Sequence, residues 1–133
     1  MARRLILDTG ILIRAERDGL GLAELLRGDD DVALAAISVA ELQLGVELAN
    51  DTNRQRRQEF VDGVLALVPV EEYSTETARV HARLLAHVRQ AGKPRGAHAL
   101  VIAATAAATA RHIVTTDSKA DFDGLPGVHT LHR

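Results

Sequence analysis

The stretch RGAHALVIAATAAATARHIVTTD, residues 95–117, decides the architecture. Its first half is apolar almost all round, the composition of a helix buried on every side, and its second half, HIVTT, is a short β-branched run that ends on Asp117. A buried helix feeding a buried strand is one unit of a parallel sheet. Residues 4–10, RLILDTG, show the same strand ending, with an apolar run that stops on Asp8.

Outward from these two segments the same alternation continues. ILIRAER reads as a short helix broken at Asp18-Gly19, LAELLRG as a second helical piece, and VALAAI, after the acidic turn Asp29-Asp30-Asp31, as a buried strand. Ser38 then opens SVAELQLGVELAN, and Glu41 three residues later completes a capping box. DTNRQRRQEFVDGVLALV is amphipathic, with Phe60, Val64 and Leu67 on one face, and VPVEEY is a short strand. TETARVHARLLAHVRQAG carries Val80, Leu84 and Val88 at helical spacing and stops at Gly92. VHTL, after Leu125-Pro126-Gly127, is the last strand. Alternating strands and helices predict an α/β chain, three layers deep, around a central and mostly parallel sheet. With 133 residues and no linker or repeat, residues 1–133 are expected to make one domain.

Composition removes several functions. Charged residues make up 26% and the net charge is −2, so no global basic field marks a nucleic-acid binder and local patches must do that work. Phe60, Tyr73 and Phe122 are the only aromatic side chains, too few for base stacking on aromatic platforms. No apolar run approaches a membrane span, the opening MARRLILDTG is no signal peptide, and cysteine is absent; a cytoplasmic protein is the expectation.

In parallel α/β sheets, ligands bind outside the carboxyl ends of the strands. Asp8 and Asp117 both stand there. A carboxylate behind a buried strand needs a cation or several donors, or else it caps the following helix near Gly10 and Ile11. Glu41 is flanked on its helix face by Ser38 and Gly45, a small-residue notch that leaves room beside the carboxylate, although the capping box alone would account for it. Asp117 is followed by Asp121 and Asp123 in a loop that reads equally as a solvated turn. Carboxylates from separate elements, without cysteine or a helical histidine pair, suit oxygen-preferring Mg2+ or Mn2+. Of the six histidines, His98 is the one placed to face such a cleft. Arg14, Arg17, Lys93, Arg95 and Lys119 flank the strand ends, where they can meet a phosphate backbone, though each also reads as ordinary surface.

Taken together, the segments LILDTGILI, ISVAELQLGV, GAHALVIAATA and IVTTDSKADFDGLPGV resemble the PIN-domain ribonucleases, and among them the toxin half of VapBC toxin-antitoxin pairs. The resemblance runs the length of the chain. It implies an α/β/α fold, an acidic pocket for Mg2+ or Mn2+, cleavage of transfer or ribosomal RNA, homodimers, and a cognate VapB-type antitoxin. Asp8 then matches the family's first acid, Glu41 its second and Asp117 its fourth. Thr9 and Thr115 or Thr116 match polar neighbours that orient those carboxylates, and Asp121 matches an assisting acid. The third acid is missing: the pattern His-Asp-Leu-x-Ile-Ala-Ala is here His98-Ala99-Leu100-Val101-Ile102-Ala103-Ala104. Ala99 stands where a metal-binding aspartate is expected, which implies a ribonuclease scaffold of much reduced activity. A degenerate paralogue and a deliberate aspartate-to-alanine replacement both account for it, and the intact surrounding motif favours the second.

Rival readings are weaker. Asp8-Thr9-Gly10 also matches aspartic proteases, but that fold is all-β. A receiver-like regulator would need a second acid paired with Asp8. A PIN-fold binding module without nuclease activity remains the main alternative, and Ala99 is its support.

Overall fold

The computed structural model describes residues 2–19, 21, 24, 26–116 and 119–132, the side chains of Lys119 and Ala120 excepted. Asp117 and part of the helical piece expected at LAELLRG lie outside the described residues. Among the described residues, five strands, β1 (Arg4–Leu7), β2 (Asp31–Ala35), β3 (Val70–Glu71), β4 (His112–Thr115) and β5 (Thr130–His132), are interleaved with six helices. These are α1 (Thr9–Asp18), α2 (Ala36–Glu47), α3 (Asp51–Leu67), α4 (Thr75–Ala91), α5 (Ala97–Ala108) and α6 (Lys119–Phe122). The sheet order is β3-β2-β1-β4-β5 and every pairing is parallel, which sharpens the expected mostly parallel sheet.

Strand periodicity sorts the core into two layers. Leu5, Leu7, Leu34 and Val114 face one side, where Leu12, Leu42, Val46, Val61 and Val64 of α1, α2 and α3 meet them. Ile6, Ala35 and Ile113 face the other, against Leu84 of α4, Leu100, Ile102, Ala103, Ala104 and Ala106 of α5, and Phe122 of α6. The three-layer α/β/α arrangement follows directly. Ala103, Ala104 and Ala106 of α5 are fully buried, and their small side chains let this helix lie close to its neighbours.

Several local readings need correction. VALAAI is strand only to Ala35, and α2 begins at Ala36 with no side-chain cap, so the capping box at Ser38 and Glu41 does not form. An apolar run does not by itself tell buried strand from buried helix, and here the turn falls inside it. Leu67 is 77% exposed, and Val61 takes the place expected for it on the buried face of α3. VPVEEY pairs over two residues only, and the acid-rich segment after Asp117 contains the short helix α6, which brings Phe122 into the core.

Three strands are tied by a buried cation just before β4. Arg111 Nη1 donates to the Leu5 carbonyl at 3.1 Å, the Asp31 carbonyl at 2.9 Å and Asp31 Oδ1 at 3.1 Å, while Nη2 donates to Glu71 Oε1 at 3.1 Å. One guanidinium thus links β1, β2 and β3. Ala110, immediately before it, holds φ 54° in the left-handed region, which turns the chain from α5 into β4. Because truncation would leave carbonyls and carboxylates without their donor, Arg111→Ala is expected to lower the unfolding free energy by about 3 kcal/mol. Urea unfolding measures this, and a loss below about 1 kcal/mol would contradict the tie.

Candidate metal centre

Sheet topology fixes where a site can be. From β1 the chain builds outward through β2 to β3, then returns to lay β4 and β5 on the other side of β1. Strand order therefore reverses between β1 and β4, and a crevice opens at their carboxyl ends. Asp8 ends β1 and Thr115 ends β4. Thr115 Oγ1, fully buried, donates to Asp8 Oδ2 at 3.0 Å across that border.

Asp8 occupies the N-cap position of α1, yet its side chain makes no cap bond to that helix, so the capping explanation at Gly10 and Ile11 falls away. Burial pushes its carboxyl above the ordinary aspartate value, and the charges of Glu41 and Asp121 push the same way, while bonds from the Thr115 hydroxyl and the Thr9 backbone oppose the shift. Asp8, just past β1, therefore feels acids from α2 and α6 across the crevice.

Glu41 is held by a hydroxyl relay. Thr9 Oγ1 lies 2.8 Å from Glu41 Oε1 and 2.9 Å from Ser38 Oγ. A single hydroxyl proton serves one acceptor, and the carboxylate can only accept, so Thr9 donates to Glu41 and takes its own bond from Ser38. Both hydroxyls are buried. Thr9 was legible as an orienting neighbour. Ser38 was misread as a cap, because its real partner is 29 residues distant in the chain.

The crevice is an open cleft of about 530 Å³ whose walls include Asp8, Thr9, Glu41, His98, Ala99 and Asp121. Ala99 lies in the first turn of α5, a helix with no acid there and no side-chain cap. His98 Nδ1 stands 3.5 Å from Glu41 Oε2. The notch expected beside Glu41 is also present. Gly45 faces open space, and a second groove of about 150 Å³ runs past it between Ile13, Arg57 and Phe60.

Among the described residues no three acids or imidazoles already converge on one point. The donors present nevertheless fit Mg2+ or Mn2+: such an ion is held by one or two carboxylates with water completing its shell, and a half-buried, mutually repelling set of carboxylates is relieved by a cation. Thr116 sits half-buried at the end of β4. Arg14 and Arg17 are exposed on α1 and pair with Asp18, Lys93 is exposed in the loop before α5, and Arg95 donates to the Asp123 carbonyl at 2.8 Å. None of these four basic residues lines the cleft, and the Lys119 side chain is outside the described residues.

A parallel α/β/α domain with acids gathered at its topological switch point is the architecture of a PIN domain, and residues 5–126 match that family, to which this chain belongs. It is 35% identical over 129 residues to Ribonuclease VapC5 of Mycobacterium tuberculosis, spanning 95% of this chain and 90% of that one. It is 29% identical over 128 residues to Ribonuclease VapC of Rickettsia bellii, spanning 96% and 94%. Its fold superposes on VapBC2 from Rickettsia felis bound to a promoter DNA fragment with a TM-score of 0.88, at 25% identity and 98% coverage of both chains. VapBC-5 from Mycobacterium tuberculosis, a member of a toxin-antitoxin family, gives 0.80 at 30% identity, again with 98% of both chains covered.

Asp8 carries a consequence for stability. Its folded carboxyl holds a proton more tightly than an unfolded aspartate with its pKa near 3.9. The stability this contributes is complete below that value and is lost as pH rises through the higher folded value. Asp8→Asn, which keeps an acceptor for Thr115 and removes the charge, is therefore expected to raise the melting temperature of the metal-free protein by a few degrees at pH 7, with the gap closing toward pH 4. A lower melting temperature for the asparagine variant at pH 7 would refute this.

Proposed function

We propose that this chain is a divalent-cation-dependent endoribonuclease scaffold of the toxin kind. Its targets are structured cellular RNAs, transfer or ribosomal, and a cognate VapB-type antitoxin restrains it. The observation that carries this reading is the pair of carboxylates, Asp8 and Glu41, each held by a threonine hydroxyl on either side of the strand-order reversal. The ribonuclease names of the relatives and the toxin-antitoxin setting of the structural neighbours support it.

Asp8 and Glu41 are the residues that would hold Mg2+ or Mn2+, with Asp117 as the further acid from the end of β4 and Asp121 assisting. A bound ion of this kind supplies a water of lowered pKa and charge compensation at a phosphodiester. The protein's own part is orientation. Thr115 fixes Asp8 Oδ2, and the Ser38-Thr9 relay fixes Glu41 Oε1, so neither carboxylate has to reorganise when a phosphate arrives. Arg14, Arg17, Lys93, Arg95 and Lys119 are proposed to meet the RNA backbone, where cations add affinity without reading sequence. Ile13, 54% exposed at the join of the cleft and the second groove, offers the antitoxin an apolar foothold beside the acids. Pairing of two such chains in a homodimer belongs to the same reading.

Ala99 limits the chemistry. It lines the cleft from the first turn of α5, where the helix dipole favours an acid, and it supplies no donor. Ala99→Asp should therefore raise magnesium-dependent cleavage of total RNA by roughly 100-fold or more, since even residues that only orient ligands are worth 10–100-fold. Adding Asp8→Asn to that variant should abolish the gain. Equal cleavage with and without the aspartate would overturn the assignment of position 99. RNA binding with no cleavage in either form would favour the non-catalytic PIN module, the reading that Ala99 itself supports.

A further inference from the structure

We propose that His98 is a ligand of this centre and shifts its preference from magnesium toward divalent ions that accept nitrogen donors, such as cobalt and zinc. The inference rests on the metal-site reading above and concerns which ion that site selects. His98 Nδ1 is 3.5 Å from Glu41 Oε2, too long for a charge-assisted hydrogen bond of about 2.7–2.9 Å. Two donors each about 2.0–2.1 Å from one tetrahedral ion stand roughly 3.3 Å apart. The two atoms thus stand within a few tenths of an ångström of the spacing that a shared cation would require.

The surroundings agree. The ring is 59% exposed on the cleft wall, and among the described residues no hydrogen bond fixes it, so a small rotation brings Nδ1 to an ion on Glu41. Ala99, the next residue, contributes no oxygen. The first turn of α5 therefore offers the centre an imidazole in place of a carboxylate. Replacing oxygen by imidazole nitrogen moves affinity along the transition series, away from Mg2+ and toward Co2+ and Zn2+.

The experiment must separate this site from a histidine pair elsewhere. The rings of His112 and His129 lie tilted with centroids 5.4 Å apart where β4 begins, at the end of the sheet opposite the cleft. The full chain carrying His129→Gln is the reference in every arm. Cobalt binding is followed by visible absorption and calorimetry, and magnesium binding by calorimetry, with and without His98→Ala and, separately, Asp8→Asn. The expected result is that His98→Ala weakens cobalt at least about tenfold and magnesium less than about twofold, while Asp8→Asn weakens both. Cobalt binding unchanged by His98→Ala overturns the proposal, and leaves the metal-site reading standing where Asp8→Asn still weakens both ions. If Asp8→Asn weakens neither ion, the metal-site reading fails and takes this proposal with it.

Discussion

A carboxylate at the carboxyl end of the central strand, half-buried beside two other acids, is the constraint to which the cleft is built. Asp8 is placed by three consecutive buried residues of β1, Leu5, Ile6 and Leu7, and the strand leaves no freedom to move it. Its desolvation is only partly offset by Thr115 and the Thr9 backbone. An acid so placed is a cost to the fold unless something positive arrives. Threonine is well suited to both supporting positions: its methyl group packs into the sheet or helix interface, and its hydroxyl supplies a directed proton at the edge of the cleft.

The two ends of the sheet solve opposite electrostatic problems. Around the start of β4, Arg111 is buried with its charge met by Asp31 at the start of β2 and Glu71 at the last residue of β3, and Arg3 donates two bonds to Asp30, holding that carboxyl down to about 2. Positive and negative groups are matched there, and the tie is structural. At the carboxyl ends burial and the charges of Glu41 and Asp121 push the Asp8 carboxyl upward, and no lysine or arginine among the described residues lines the cleft to match them. The contrast separates the stabilising end of the domain from the functional one more clearly than burial does, since both ends contain half-buried charges.

Legibility in the sequence followed the range of the interactions. Strands that bury both faces, the α5 helix and the acids at strand ends were readable because composition and periodicity are local. Ser38 was not. Its hydroxyl pattern matched a local cap, and the true partner, Thr9, becomes a neighbour only once β1 and β2 lie side by side. Arg111 was also invisible, because nothing within β4 announces that its guanidinium reaches Leu5, Asp31 and Glu71 on three other strands or their ends. Asp8, Glu41, Thr9 and Thr115 lie together at the cleft, whereas Arg14, Arg17, Lys93 and Arg95 do not line it. Long flexible side chains on a surface carry little positional information, and those on α1 found a nearer partner in Asp18.

Ala99 separates two properties that an acidic cleft normally couples. Each carboxylate that helps hold a divalent ion also repels the RNA phosphates that the site must admit, so the full acidic set binds substrate well only when the ion is present. Removing one acid weakens the hold on a hard cation and at the same time lowers the field against the phosphate backbone. The scaffold itself is indifferent to the change, because Ala99 packs against the α4–α5 side of the core as a small apolar residue and α5 keeps its place beneath the sheet. On the proposed nuclease reading, such a change costs turnover before it costs recognition, because position 99 lies in the first turn of a helix whose buried side is committed to packing.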